Sequence, residues 1–530
     1  MLVFFMHVCS CVPVWRFFTS ETPRFNALSF WMGYFFRITS CGDTRLKLMV
    51  RQRFFYFRSL LGKAGFILAV FFFLFGEQCI APTCSSAFSI GEEREIGEQL
   101  LLAVRSKFEL LDDPDIVQYV NRLGRQVLAI AGPQYFEYHF FVVNNDQFNA
   151  FAAPSGLIFF NSGLIKTMQS EDQLLSVLAH EVGHVVSRHL SRRIDKQEKV
   201  SAASLLFGLA SLAVGNPALT QGLFTSALAA NQTAGLSFSR QDEEQADRLA
   251  FGWLKIMGRN PTAMESMLKS MRRITRYRSE QLPPYLLTHP NPEDRLDYVQ
   301  SLLEIERRKI NNSFPEDVAE FPFLRFKYRV LSQSEEPEDL RIHCANTLAS
   351  SEDSVQTAMA HYGLALVSAK ENNFQEAYKH LQTVRNEFPG RDILKIDLAA
   401  FYIDAGEQEK AEHLLRSLYQ RDPTDMYCAF KLAESLSRKG ELEEAEKLYL
   451  EVAKDIPEYS QVYYELARVK SGQGERGAST FYLAKYYLYE GRINYAKQYL
   501  RRLKKDPQVP AARQEEAKEI LKRLKELEDR

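Results

Sequence analysis

At 530 residues the chain has room for two or three domains. Its 25% charged and 46% hydrophobic composition excludes global disorder and collagen-like structure. With 66 basic against 67 acidic residues it has no overall pull towards nucleic acid, and seven cysteines are too few for a disulfide-built scaffold.

The first ninety residues stand apart, holding Cys9, Cys11, Cys41, Cys79 and Cys84. Within them Phe66–Phe75 reads FILAVFFFLF, preceded by Arg51, Arg53, Arg58 and Lys63. The uncharged stretch Ala64–Gly76 is too short for a membrane span, and small residues (Ser85, Ser86, Ala87) follow it. That pattern is expected for a secretory signal over 49–87 opening at Met49, with cleavage after Ala87. Residues 1–48 are then an overlong start; a genuine extension or an uncleaved anchor is the alternative. A lipid anchor at Cys84 fits less well, because Thr83 stands where a lipobox has alanine or glycine. Without residues 1–87 the chain carries 57 basic and 64 acidic residues, a net charge of −7. Only Cys344 and Cys428 would remain, as a disulfide or as two buried thiols.

A first domain is expected over 88–325. Residues 172–190 read DQLLSVLAHEVGHVVSRHL, and Leu174, Leu175, Leu178, Val182, Val185 and Val186 have the spacing of a buried helix. His180 and His184, four apart, project from one face and can hold one Zn²⁺ with Glu181 beside it. His189, five positions past His184, falls on a different face and is read as structural. Ala202–Val214 is apolar apart from two serines and reads as a core helix, with a plug or a lipid-touching surface as the other reading.

Further on, SFSRQDEEQADRLAFGWL places Glu243 and Asp247 on one helix face. Glu243 can be a third ligand, leaving one position for water, and Asp247 can accept the second ring N–H of a ligand histidine. Glu244 is the rival ligand, about 100° round the helix. Ala246, Leu249, Ala250 and Trp253 make one side apolar, against a merely solvated acidic stretch.

From about Asp353 the sequence repeats itself. Leu364-Ala365, Leu398-Ala399, Leu432-Ala433 and Leu466-Ala467 recur at one fixed interval. The same interval separates Ala377, Ala411 and Ala445, and again Pro389, Pro423 and Pro457. Asn372, Gly406, Gly440 and Gly474 mark the turn within each unit. A period of about 34 residues with small residues where two helices touch is the tetratricopeptide signature. It predicts an α-solenoid over 346–530, joined through a junction at 326–345. The register slips after Gly474 and resumes at Ala484, Gly491 and Ala496, so an irregular or lengthened helix is expected there. The charged Arg513–Arg530 closes the stack. Such arrays bind peptide segments or partner proteins.

The combination of NAFAAPSG (Asn149–Gly156), HEVGH (His180–His184), SRQDEEQAD (Ser239–Asp247) and THPNPEDR (Thr288–Arg295) resembles the gluzincin peptidases, most nearly the CAAX prenyl endopeptidase and HtpX-type subgroup. With the signal segment and the repeats, it looks like those members that serve outer-membrane β-barrel assembly in the Gram-negative periplasm. The resemblance implies a mainly α fold with a small β-sheet and one Zn²⁺ per chain on His180, His184 and Glu243. It further implies Glu181 as general base and Asn149-Ala150-Phe151 on an edge strand that pairs with extended substrate. His289, in a loop rich in proline, has three open readings: an oxyanion donor (with Tyr285 as runner-up), a fourth ligand that makes the enzyme latent, or a plain turn. Arg295 is read as a partner of Glu243 or Asp247.

The function expected is a periplasmic zinc endopeptidase cutting misassembled outer-membrane β-barrel proteins captured by its repeats. Contact with the barrel-assembly machinery and a peripheral membrane contact are open, and no nucleic-acid partner is expected. The rival reading is a chaperone or assembly scaffold with latent proteolysis.

Overall fold

The computed structural model describes residues 89–196, 237–277, 284–310, 320–507 and 509–528, all within one unit, Ser86–Arg530. The readings made for 1–48, for the signal segment 49–87 with its cysteines and for Ala202–Val214 lie outside these residues.

Local sequence sets the helix starts. Ser89 and Glu92 form a capping box on α1 (Ile90–Lys107), and Asp113 caps α2 (Pro114–Ala131) with proline in its first turn. Three short runs of aromatic and small apolar residues then make a sheet: β1 (His139–Val143), β2 (Ala150–Ala153) and β3 (Leu157–Asn161), in the order β1-β3-β2. β1 is parallel to β3 and β2 antiparallel, with Phe141 and Phe151 both opposite Phe159. Leu110 bridges to Val143 on the outer side of β1, so among the described residues β2 is the edge without a partner. After α3 (Ser162–Thr167) comes α4 (Glu171–Val186), capped by Ser170, and then α5 (His189–Lys196). α6 (Arg240–Ile256) starts on a second capping box, Ser239 with Asp242. α7 (Thr262–Tyr277), α8 (Pro284–Thr288) and α9 (Pro292–Ile310) complete this half.

The junction expected at 326–345 is helical. α10 (Phe321–Ser334) and α11 (Pro337–Ser350) span it, and residue 325 lies inside α10. α10 is buried along most of its length, because its three cations have partners in both halves of the molecule. Arg325 forks onto Asp397 (Nε to Oδ2 2.9 Å, Nη2 to Oδ1 2.7 Å) and reaches Asp115 at 2.8 Å. Arg329 donates to Asp113 Oδ2 at 2.7 Å, and Lys327 to the carbonyl of Met168 at 2.9 Å. Asp397 also accepts from the hydroxyls of Tyr362 (3.0 Å) and Tyr427 (3.2 Å). One apolar core accordingly runs from α2, the sheet and α4 through Phe323 and Tyr328 into the first repeat.

Asp397 side-chain exposure is 0%, and its loss takes from the buried Arg325 the carboxylate it forks onto and from the buried Tyr362 and Tyr427 hydroxyls their acceptor. Asp397→Ala is expected to cost about 3–5 kcal/mol, the usual result of breaking one side of a buried charge network. Denaturant unfolding measures it; a change within about 0.5 kcal/mol, typical of a surface site, would contradict it.

The repeats are helical hairpins: α12 (Ser354–Lys370) with α13 (Phe374–Glu387), α14 (Asp392–Asp404) with α15 (Gln408–Arg421), and α16 (Met426–Lys439) with α17 (Leu442–Asp455). α18 (Ser460–Gly472), α19 (Arg476–Tyr489), α20 (Ile493–Lys505) and α21 (Ala511–Glu528) follow. The turns at Asn372, Gly406, Gly440, Gly474 and Gly491 all have positive φ, from 61° to 89°. Glycine adopts that conformation freely, and asparagine is among the few other residues that tolerate it. The irregularity after Gly474 is not a lengthened helix: α19 has 14 residues, like α15 and α17. It serves in two turns, because Gly491 follows Gly474 at half the interval that separates Gly474 from Gly440.

The end of the array returns to α1. A Cβ at Gly491 would lie 2.3 Å from the Arg105 backbone, and the Arg105 side chain bonds Asp112, Glu458 and the carbonyl of Tyr489. Arg523 on α21 meets Glu98 on α1 at 2.6 Å. Cys344 and Cys428 are both buried free thiols. No helix among the described residues is long and apolar enough to cross a membrane.

Candidate metal centre

Helices α4 and α6 bring the chemistry together because Gly183 lets them touch. A Cβ there would stand 3.2 Å from the Cα of Ala246. Gly183→Val is expected to lower stability by about 1–3 kcal/mol, as overpacking does, and to weaken metal binding at the same time. Unfolding and chelator competition measure the two effects; unchanged values in both would contradict this packing.

Around that crossing, His180, His184, Glu243 and His289 each turn one ligand atom towards the others, all four within 4.8 Å of one another. His180 Nε2 lies 3.0 Å from His184 Nε2 and 3.4 Å from His289 Nδ1. Glu243 Oε1 lies 2.9 Å from His289 Nδ1 and 3.6 Å from His184 Nε2. Four ligand atoms about 2.0–2.1 Å from a tetrahedral ion are about 3.3 Å apart, so the spacing fits a metal ion. Glu181, 0% exposed, has no hydrogen-bond partner for either carboxylate oxygen among the described residues. Its Oε1 lies 3.5 Å from His289 Nε2. A buried carboxylate left bare in this way calls for a physical reason, and a further ligand in the site would supply one.

Behind the cluster, Asp247 Oδ1 lies 2.8 Å from His180 Nδ1, which leaves Nε2 of that ring facing the other ligand atoms. Arg295 forks onto Asp247 (Nε 2.9 Å, Nη2 2.7 Å) and holds Glu243 Oε2 at 3.0 Å. Burial opposes ionisation of Glu243, but His289 and Arg295 outweigh it and keep the carboxyl well below its ordinary range. Burial, with His180 and His289 nearby, pushes His184 well below the usual imidazole value. For His180, burial and Arg295 act downwards, yet Asp247 and Glu243 lift it to about 9. The site therefore pairs an anionic carboxylate with a neutral imidazole, His184, and with His180, whose extra proton an ion would displace.

His289 is reached through a short path. It follows α8, its N–H donates to the Tyr285 carbonyl (2.8 Å), and its ring stacks on Tyr285 at 4.4 Å. The Tyr285 hydroxyl is turned to Arg295. Phe238 N–H donates to the Thr288 carbonyl at 2.8 Å, and the Phe238 ring packs 3.9 Å from His184. Phe238 carried no sequence signal beyond its apolar character. Ala150 and Phe151 open β2 and Asn149 precedes it, with Ala150 opposite Phe160 and the Asn149 carbonyl accepting from Asn161 N–H at 3.0 Å. Glu244, the rival ligand, instead pairs with Arg240, and its neighbour Asp242 caps α6.

A histidine pair on one helix with a carboxylate on a second, beside a sheet whose edge strand lies against the first helix, is the architecture of a metalloprotease. The model for peptidase family M48 matches residues 112–303, and a tetratricopeptide repeat model matches residues 368–425. The chain is 30% identical over 421 residues to the Beta-barrel assembly-enhancing protease of Escherichia coli K12, covering 79% of this chain and 84% of that one. Its counterpart in Yersinia pestis is 31% identical over 341 residues, 64% and 68% of the two chains. The Mitochondrial metalloendopeptidase OMA1 of Schizosaccharomyces pombe is 28% identical over 185 residues, 35% of this chain and 52% of that one. The chain belongs to peptidase family M48, with a tetratricopeptide array after the protease fold.

Proposed function

We propose that the protein is a periplasmic zinc endopeptidase of outer-membrane quality control, kept latent by His289. The observation that carries the metal reading is the set of four ligand atoms with the bare Glu181 carboxylate beside it. His180, His184 and Glu243 would hold the ion. Bound there, zinc supplies Lewis acidity to a scissile carbonyl and makes water nucleophilic near neutral pH. Glu181 takes a proton from the attacking water and passes it to the leaving amine nitrogen. Extended substrate adds to β2 as a further strand beside Asn149, Ala150 and Phe151, which sets the scissile bond next to α4. Asp247 and Arg295 orient His180 and Glu243.

His289 points Nδ1 at the same centre, a position that substrate and water need. Its fully buried ring favours the reading as fourth ligand over that as oxyanion donor. That observation also keeps the scaffold reading in play, in which the array docks assembly machinery and proteolysis is rare.

Misassembled β-barrel proteins as substrates are supported by the names of the bacterial relatives and by the repeat array. The test is competitive proteolysis of an unfolded β-barrel precursor and an unrelated unfolded protein of equal length. Preferential loss of the precursor is expected; equal rates would remove the barrel specificity.

A further inference from the structure

We infer that His189 is a positioning residue that fixes the tautomer of the metal-site histidine His184; the inference rests on the metal reading above. The helix bearing His180 and His184 stops at Val186, and Arg188 takes φ +49° before α5 begins at His189. Arg188 is tied there by Glu93 on α1, 2.8 Å from its Nη2. The reversal undoes the helical spacing and swings the His189 ring back behind His184.

The two rings meet through like nitrogens, His189 Nδ1 at 2.9 Å from His184 Nδ1. On its far side His189 Nε2 lies 3.1 Å from the amide oxygen of Gln245 on α6, with Asp242 Oδ1 farther off at 3.6 Å. His189 is 2% exposed, so water does not serve either nitrogen freely.

Proton counting then leaves one arrangement. His184 Nε2 faces His180 Nε2 and Glu243, so it must offer a lone pair to an ion, and its Nδ1 must carry the proton. That N–H donates to His189 Nδ1, which is therefore unprotonated. His189 is neutral, with its own proton on Nε2, and donates to Gln245 Oε1. Both helix histidines are thus held from behind by acceptors, His180 by the carboxylate of Asp247 and His184 by an imidazole that brings no charge.

The test is zinc affinity by chelator competition on the full protein, with circular dichroism of the metal-free form as the folding control. His189→Phe fills the volume without an acceptor and is expected to weaken zinc binding by about 10–100-fold. His189→Asn sets an amide oxygen near the place of Nδ1 and is expected to recover affinity to within about threefold of wild type. Equal affinity in His189→Phe and wild type, or equal losses in the Phe and Asn variants, would overturn the relay. If the Phe variant does not fold, the wild type decides: with ¹⁵N-labelled histidine, the zinc-loaded protein should show His184 protonated at Nδ1 and His189 at Nε2, and the opposite His189 tautomer overturns it. Wild type that binds no zinc removes the metal reading itself, a result distinct from a zinc-loaded wild type matched by His189→Phe.

Discussion

Glu181→Gln should abolish peptide hydrolysis while leaving the protein folded and loaded with metal. The expected loss is about 10²–10⁴-fold in kcat, the usual contribution of a general base, because the amide keeps the size of the carboxylate but cannot take the proton from water. Glu181 makes no hydrogen bond that holds the fold among the described residues, so its stability contribution is small. Relief from bringing a charge into a buried site works in the same direction, and the variant should unfold no more easily than wild type. Cleavage of an unfolded fluorescent reporter, beside metal content, reads both effects. Retained cleavage with full metal content would remove Glu181 from the chemistry.

His289→Ala is expected to act in the opposite sense. With the imidazole gone, the fourth position around the ion opens, and kcat/KM should rise by about tenfold, equivalent to removing roughly 1.4 kcal/mol of closing free energy. Zinc affinity should fall at the same time, since one of four ligand atoms is lost. A fall in kcat with metal content unchanged would instead make His289 an oxyanion donor. The stacked Tyr285 gives a control from the same loop: Tyr285→Leu frees the histidine without removing it and should raise activity less than His289→Ala does.

Much of this was legible in the amino-acid order because it depends on helical spacing. His180 and His184, and Glu243 and Asp247, are each four apart on unbroken helices, so their sides follow from the pitch of the helix. The repeats were legible for a similar reason: a left-handed residue is needed at the turn within each unit, and glycine or asparagine marks each one. His189 was misread because that spacing was extended past Val186, whereas the reversal sits on Arg188, a residue with no special preference for positive φ. The burial of α10 was hidden for a different reason. Arg325, Lys327 and Arg329 make FPFLRFKYRV look like a half-exposed connector, and their partners lie far away in sequence, at Asp113, Asp115, Met168 and Asp397. The role of α19 in two successive turns likewise depends on a half-period, which a search at the full repeat interval sees only as a slip.

A zinc-loaded crystal structure with anomalous data at the zinc edge would show whether the metal site is closed. A single strong peak is expected about 2.0–2.2 Å from His180 Nε2, His184 Nε2, a Glu243 oxygen and His289 Nδ1, with Glu181 beside it but not bound. A peak held by only the first three, with water in place of His289, would contradict the latency; no peak between α4 and α6 would contradict the metal centre altogether.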